Sequence, residues 1–337
     1  MTHTMTWGTR LPMPDTNASD MMGGPIGLAL PRYDNFPYPE SVGCAWLSSG
    51  RAALECLLSN MPRPQRVLVP RYVCDTILQP IERLGLPVHC YATDSRLAPH
   101  PPPDATSGDL LLLVNYFGLT GDVVRAAALR HPGPVVVDAT TALYSPPQPG
   151  LPTFYSPRKF AGLSDGGVAC APFPLQLPAA EDVSAPRATC LLQQLEAGTC
   201  AAAPAFDAAE TDLCHSFLRM SPLTRRLLSS IDWEDAARRR LENYAILHRE
   251  LAHINRLQLP DAPAAAPMCY PLVCGIPGLR DDLIDAGIAL PLFWPEVITA
   301  TTPDQPENDL ARTLLPLPLD QRYTPADMRR LLSLILS

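Results

Sequence analysis

Short apolar runs alternate with helical patterns along the first half of the chain, and this alternation is the strongest constraint on the fold. The runs are almost continuously apolar rather than alternating, which is typical of strands that are buried on both faces. Strands of that kind, separated by helices, form parallel sheets covered on both sides. We therefore predict an α/β fold with a three-layer α/β/α domain and a mainly parallel sheet. The predicted strands are 66–70, 86–92, 110–116, 134–138 and 167–171, and the predicted helices between them are 49–59, 72–84 and 121–130.

A long amphipathic pattern divides the chain in two. Residues 233–255 are predicted to form one helix, followed by a strand near 270–274, a helix near 279–286 and a last helix over 325–336. We therefore predict an N-terminal arm over residues 1–25, a large domain over 26–232 and a small C-terminal α/β domain over 233–337. The apolar face of the long helix is predicted to carry Leu241, Tyr244, Leu247, Leu251 and Ile254.

Charge and cysteine content exclude several classes of protein. The net charge of −8 argues against a nucleic-acid-binding protein, which normally carries a basic stripe. The ten cysteines include no Cys-x-x-Cys pair and no zinc spacing, and most lie in apolar runs, so we predict reduced thiols and no metal site. We find no signal-peptide pattern and no apolar run of about 20 residues. The prediction is a cytoplasmic protein without a membrane partner.

Lysine is almost absent from this chain. Its 26 basic residues are 25 arginines and one lysine, Lys159. Arginine stays protonated in proteins and cannot form an imine, whereas a lysine amine can. Either this lysine survived by chance or its position requires an amine. The second alternative predicts carbonyl chemistry at Lys159.

A possible phosphate cradle comes early in the chain. Ser49-Gly50-Arg51 opens the first predicted helix, where free N–H groups and the helix dipole favour an anion, and Arg51 adds a charged fork. The alternative is an ordinary helix cap.

An acidic residue closes a predicted strand farther along. Asp138 ends the run PVVVD, and ligands of open α/β sheets bind at the carboxyl ends of strands. Such a carboxylate could keep the pyridine nitrogen of pyridoxal 5′-phosphate (PLP) protonated. Capping of the next turn is the alternative.

The lysine itself lies in a third motif, TFYSPRKF. Here Lys159 would form the Schiff base with PLP and Ser156 could hydrogen-bond the phosphate. Arg158 could contact the phosphate or a substrate acid, or lie at the surface. The turn 162–167 (GLSDGG) then returns the chain to a strand close to this site.

The order of SSGRAAL, VVVDATTA, FYSPRKF and GLSDGG resembles the DegT/StrS-type PLP-dependent sugar aminotransferases, which have the type I fold of aspartate aminotransferases. The resemblance covers about residues 40–171. Thr141 stands where the family usually has a glutamine near the ring hydroxyl, and Cys74 occupies the slot of the stacking aromatic. The resemblance implies Lys159 as the Schiff-base lysine, Asp138 as the pyridinium partner, the turn at Ser49, Gly50 and Arg51 with Ser156 as phosphate contacts, Tyr72 as a ring-stacking residue, and Asn115 and Thr141 near the ring hydroxyl. For Tyr72 and Asn115, a role in the core or in capping is the alternative.

Three hypotheses follow for the function. The first is an aminotransferase that moves an amino group from an amino acid such as glutamate to a keto group, which the resemblance implies could be on a nucleotide-linked sugar, in a homodimer. The second keeps PLP but changes the reaction to that of a lyase, dehydratase or racemase. The third is a cofactor-free relative that binds or regulates.

Overall fold

The structure is a computed structural model that describes residues 26–38, 43–213 and 217–336. The predicted N-terminal arm, residues 1–25, lies outside the described residues.

The main sheet has eight strands in the order β1-β8-β7-β6-β5-β2-β3-β4. The central pairs are parallel, whereas β8 runs antiparallel to both of its neighbours and β4 antiparallel to β3. This confirms the predicted mainly parallel sheet. The strands are β1 (Cys44–Leu47), β2 (Arg66–Pro70), β3 (Val88–Thr93), β4 (Pro99–His100), β5 (Asp109–Val114), β6 (Val135–Asp138), β7 (Thr153–Tyr155) and β8 (Gly167–Cys170).

Helices cover the main sheet and continue into the C-terminal part of the chain. Every residue of β5, β6 and β8 is buried, which is the physical reason for their continuously apolar sequences. The helices are α1 (Gly50–Ser59), α2 (Leu78–Arg83), α3 (Gly121–Arg130), α4 (Thr189–Ala197), α5 (Thr199–Leu213), α6 (Pro222–Leu228), α7 (Trp233–Leu251), α8 (Leu279–Asp285), α9 (Pro295–Ala300), α10 (Pro306–Thr313) and α11 (Pro325–Leu336).

A second, two-stranded sheet pairs β9 (Tyr270–Leu272) with β10 (Leu315–Leu317) in antiparallel register. Side chains from this sheet and from α7, α8 and α11 form a hydrophobic cluster of their own. The C-terminal third of the chain therefore has its own apolar core.

Two predicted elements need correction. The predicted helix 72–84 is a single 3-10 turn, Asp75–Ile77, followed by the short helix α2, because residues 71–74 leave β2 as an irregular loop. On α7, Leu241 was predicted on the apolar face but is 37% exposed, whereas Arg240 beside it is 2% exposed. The buried stripe of α7 runs through 233, 236, 240, 243, 244, 247, 248 and 251.

The prediction that all cysteines are reduced is wrong. Cys44 of β1 and Cys170 of β8 form a disulfide, with their Cα atoms 4.1 Å apart. These two residues are direct partners in the antiparallel register, so their side chains meet on one face of the sheet. The bond ties an edge strand to its neighbour.

Within the described ranges, no helix is both long and apolar enough to cross a membrane.

Candidate active site

Three neighbouring parallel strands deliver polar residues to one edge of the main sheet. Asn115 follows β5, Asp138 ends β6 and Ser156 follows β7. Because these strands are adjacent and parallel, their carboxyl ends lie together.

The amino end of α1 lies against this edge. Ser49 caps the helix, its hydroxyl accepting from the N–H of Ala52 at 3.1 Å. A Cβ placed on Gly50 would lie 3.3 Å from Thr140 Cγ2 and 3.5 Å from Ser156 Cβ. The first turn of α1 therefore faces both side chains closely, and a residue larger than glycine would fill this space. Arg51 is half-buried in the same turn.

The turn 162–167 also closes onto α1. The N–H of Gly166 donates to the carbonyl of Ser48 at 2.6 Å, and a Cβ on Gly167 would lie 2.0 Å from the Ser49 carbonyl oxygen. Only glycine allows this approach. Asp165 in the same turn is fully buried and accepts from Ser221 N and Oγ, both at 2.8 Å, which fixes the start of α6.

Lys159 points to the same edge. Its Nζ donates to Thr140 Oγ1 at 3.0 Å, and the Lys159 side chain is exposed. Thr140 in turn donates its N–H to Asp138 Oδ1 at 2.8 Å. Thr140 is thus hydrogen-bonded to Lys159 through its hydroxyl and to Asp138 through its backbone N–H.

Asp138 is 5% exposed, and burial raises the pKa of its carboxyl. The positive charge of Lys159 and the hydrogen bonds from Thr140 oppose this effect. The acid and the amine are therefore within electrostatic reach of each other.

Arg158 points elsewhere. Its guanidinium pairs with Glu210 of α5. Arg158 is thus engaged in an ion pair with α5.

Tyr72 lies in the hydrophobic core. Its ring is 0% exposed and packs against Tyr116 and Trp294, with centroids 5.6 and 5.1 Å away. A ring with no exposed surface offers no face to a ligand in this conformation. Cofactor stacking by Tyr72 stays a prediction that requires Trp294 or Tyr116 to move.

The side chains of Asn115 and Thr141 form hydrogen bonds with nearby backbone groups. Asn115 Oδ1 accepts from the N–H of Thr120 at 3.2 Å. Thr141 Oγ1 donates to the carbonyl of Asn115 at 3.2 Å and accepts from the N–H of Phe117 at 3.1 Å. Both side chains are almost fully buried, so their contacts with a cofactor ring also stay predictions.

Cys74, in the slot of the missing aromatic, lies near the lysine. Burial raises the pKa of its thiol, and the charge of Lys159 acts in the opposite direction. Its sulfur also lies within 4.8 Å of the carboxylates of Asp75 and Glu296.

Sequence reasoning missed Thr140. The signal was present in DATTA, because a residue two positions after an aspartate often donates its N–H to that side chain. What the pattern did not indicate is that the Thr140 hydroxyl would face Lys159, 19 positions away.

Comparisons with known proteins place the fold. The chain resembles the sugar aminotransferase CalS13 from Micromonospora echinospora (19% identity, 88% of each chain covered, TM-score 0.59). It also resembles the aminotransferase TlmJ from Streptoalloteichus hindustanus (14% identity, 88% of this chain and 85% of that one, TM-score 0.61). A third similar structure is the putative sugar aminotransferase Spr1654 from Streptococcus pneumoniae in its PMP form (13% identity, 87% and 86%, TM-score 0.58). No family model and no curated protein matches the sequence. The chain has the fold of these aminotransferases.

Proposed function

We propose that the chain is a PLP-dependent aminotransferase of the DegT/StrS type. The observation that carries this proposal is the convergence of the single lysine, Asp138 and the amino end of α1 at one edge of the sheet, linked through Thr140. The fold shared with solved aminotransferases supports it.

The residues present fit PLP. Its phosphate would need an anion site, and the glycine at the start of α1 leaves the space beside Ser156 and Thr140 that a Cβ would fill. The Ser49 hydroxyl uses its oxygen to cap α1, so its hydrogen can go to a phosphate oxygen. The aldehyde of PLP would need an amine, and Lys159 supplies one.

The chain's own groups would divide the work. Lys159 Nζ would attach the cofactor and later move a proton from the carbon of the amino donor. Asp138 would lie against the pyridine nitrogen, and a positive charge there would favour the ionised acid in spite of its burial. The amino end of α1, with Arg51 and Ser156, would hold the phosphate. When bound, PLP would supply the electron sink for the substrate carbanion.

The substrates belong to the same proposal. We propose an amino acid such as glutamate as donor and a keto group on a nucleotide-linked sugar as acceptor, because two of the three solved structures described above are named sugar aminotransferases. We further propose a cytoplasmic homodimer. Exposed apolar side chains on α4 and α5, among them Leu195 and Phe206, support self-association.

Covalent attachment at Lys159 tests the proposal. Protein incubated with PLP and reduced with borohydride should gain one cofactor mass, on the peptide that contains Lys159. Lys159→Ala and Lys159→Arg should gain none. A double variant, Arg158→Lys with Lys159→Arg, keeps one lysine but moves it by one position, and it should also remain unlabelled because position 158 faces Glu210.

Two results would contradict the proposal. One is labelling of the Lys159→Ala protein to the same extent as the wild type. The other is release of ammonia when the PLP-loaded protein is incubated with glutamate, which would indicate a lyase or dehydratase. An aminotransferase should release one equivalent of keto acid and no ammonia.

A further inference from the structure

Arg240 is a buried arginine on the inward face of α7. The preceding residues Arg238 and Arg239 form ion pairs with acids of the same helix at the surface, whereas Arg240 is 2% exposed. Among the described residues, no carboxylate lies within ion-pair distance of its guanidinium. Burial lowers the pKa of Arg240, so its surroundings disfavour the positive charge of the guanidinium. Asp320 attracts the guanidinium from beyond ion-pair distance. A buried charge without a direct acidic partner is still costly, so its presence needs a reason.

The guanidinium of Arg240 contacts neutral groups only. Its Nη1 donates to the carbonyls of Pro267 and Met268 at 3.1 and 3.0 Å, and its Nε donates to Gln321 Oε1 at 3.0 Å. Its carbon Cζ lies 4.9 Å from the centroid of the Phe160 ring, which is a cation–π geometry.

The side chain of Gln321 links Arg240 to the backbone of Phe160. Because a guanidinium can only donate hydrogen bonds, the Gln321 side-chain amide must direct its oxygen towards Arg240. The nitrogen of the same amide then donates to the carbonyl of Phe160 at 2.8 Å. Phe160 is thus held at its ring by Arg240 and at its carbonyl by Gln321.

Phe160 directly follows Lys159. The lysine lies in a single 3-10 turn, Pro157–Lys159, where the N–H of Lys159 donates to Ser156 and that of Phe160 to Pro157. A turn this short has few hydrogen bonds of its own, so external contacts decide how firmly it is held. Besides the edge-on ring of Tyr144, Phe160 is contacted by Arg240 of α7 and by Gln321 from the segment after β10.

We propose that Arg240 and Gln321 are positioning residues for Lys159, which act by holding Phe160 so that the lysine amine stays directed at Thr140 and at a bound carbonyl cofactor. This inference rests on the proposed function for its cofactor. It also assigns a role to the only buried arginine of the RRR run at 238–240.

Gln321→Glu separates positioning from folding. The carboxylate still accepts from Arg240, so the variant should fold, but it cannot donate to the Phe160 carbonyl. Gln321→Met removes both bonds without adding charge. The matched control is Gln305→Glu, since the Gln305 side chain uses its oxygen to accept from Thr302 N–H.

Two readouts are needed, and the first requires no cofactor. Hydrogen exchange of the amides at 159–161 in cofactor-free protein should become about tenfold faster in both Gln321 variants, which corresponds to the loss of one hydrogen bond. The equilibrium constant for PLP attachment at Lys159 should weaken by a similar factor. The melting temperature of Gln321→Glu should stay close to that of the wild type, whereas that of Gln321→Met should fall, because the buried Nε of Arg240 loses its acceptor. Gln305→Glu should match the wild type throughout.

The outcomes distinguish the two proposals. Wild-type exchange and wild-type PLP affinity in both Gln321 variants would overturn the positioning role. Weaker attachment in Gln321→Glu alone would also overturn it, since added charge would then be the cause. Faster exchange in the Gln321 variants, together with a wild type that does not attach PLP, would have two consequences. It would support the role of Arg240 and Gln321 in holding Phe160, and it would overturn the proposed function.

Discussion

Asp138 is subject to opposing electrostatic influences. Burial raises the pKa of its carboxyl above the ordinary value of 3.8, and the charge of Lys159 only partly offsets this in the protein without cofactor. The unfolded chain therefore releases this proton first as the pH rises, and folded-state stability falls until the pH passes the folded pKa.

Asp138→Asn removes that pH dependence. We expect the cofactor-free variant to be at least as stable as the wild type at neutral pH, and the two to converge below about pH 3, where the acid is mostly protonated in both states. Thermal unfolding from pH 3 to 8 measures this. Transamination should fall about a hundredfold or more, because the charge beside the ring nitrogen is lost. A wild type that gains stability over Asn as the pH rises would contradict the argument.

Thr140→Val tests the contact between lysine and threonine. The variant keeps the shape of the side chain but loses the oxygen that accepts from Lys159 Nζ, so PLP attachment should weaken about tenfold. Thr140→Ser keeps the hydroxyl and should stay within about threefold of the wild type. Equal affinities in the Val and Ser variants would show that the hydroxyl does not orient the amine.

At the scale of single residues, chemistry was more predictable than orientation. Lys159 and Asp138 were singled out because a lone lysine and a strand-end acid are distinctive, and the structure brings them together through Thr140, whereas their roles stay predictions. Thr140 was missed, and Leu241 was placed inside where the structure buries Arg240. Hydrophobic periodicity assigns the inward position to the leucine, and it cannot foresee that Phe160 and Gln321 provide partners for a buried guanidinium.

The contact between β8 and α1 gives the sharpest prediction for secondary-structure elements. Gly167→Ala would place a carbon 2.0 Å from the Ser49 carbonyl oxygen, so strand and helix must separate. We expect a loss of about 1–3 kcal/mol in the free energy of unfolding and weaker PLP attachment. Chemical denaturation measures the first effect.

Gly275→Ala is the control for this substitution. A Cβ on Gly275 meets nothing within 4 Å. This variant should stay within about 0.5 kcal/mol of the wild type. Comparable losses in the two variants would show that the close approach at Gly167 is not the cause.

The bond between β1 and β8 gives a second prediction at this scale. Cys44 and Cys170 are 126 positions apart, and a cross-link across so long a loop restricts the unfolded chain. Cys44→Ser should lower the free energy of unfolding by about 2–4 kcal/mol relative to the oxidised wild type. Adding a thiol reductant to the wild type should reproduce this loss, whereas Cys90→Ser, at an exposed free cysteine, should not. Equal stability with and without reductant would contradict the prediction.

Some secondary-structure elements were predicted closely and others were missed. The helix over 121–130 and the strand over 66–70 were predicted with the bounds that the structure has. β1, β7 and β10 have three or four residues each and were missed, although β6, β8 and β9 are equally short and were predicted, so length alone does not decide the outcome. The disulfide was missed because β1 had to be known before Cys44 could be paired with β8.

For the whole molecule, the layer architecture followed from the sequence because continuous burial of central strands leaves a direct mark on composition. The pairing order of the strands did not. β1 and β8 are far apart in sequence yet adjacent in the sheet. The fold is confirmed by the solved aminotransferases, whereas the division into domains stays a prediction.

Self-association is the prediction that belongs to this scale. We expect sedimentation equilibrium to give twice the chain mass of 36.6 kDa. Leu195→Glu with Phe206→Glu should weaken the association, because both side chains are at least half exposed on the paired helices α4 and α5. Leu129→Glu, on α3 and 83% exposed, is the control. A mass of one chain at micromolar concentration would contradict the homodimer.

The exposed amine of Lys159 has a practical consequence. Apart from the α-amine at the start of the chain, it is the one primary amine that the sequence contains. A succinimidyl ester dye should therefore label the protein at a single internal position, beside Thr140. Competition between such a dye and a candidate ligand would report occupancy directly, without any knowledge of the substrate.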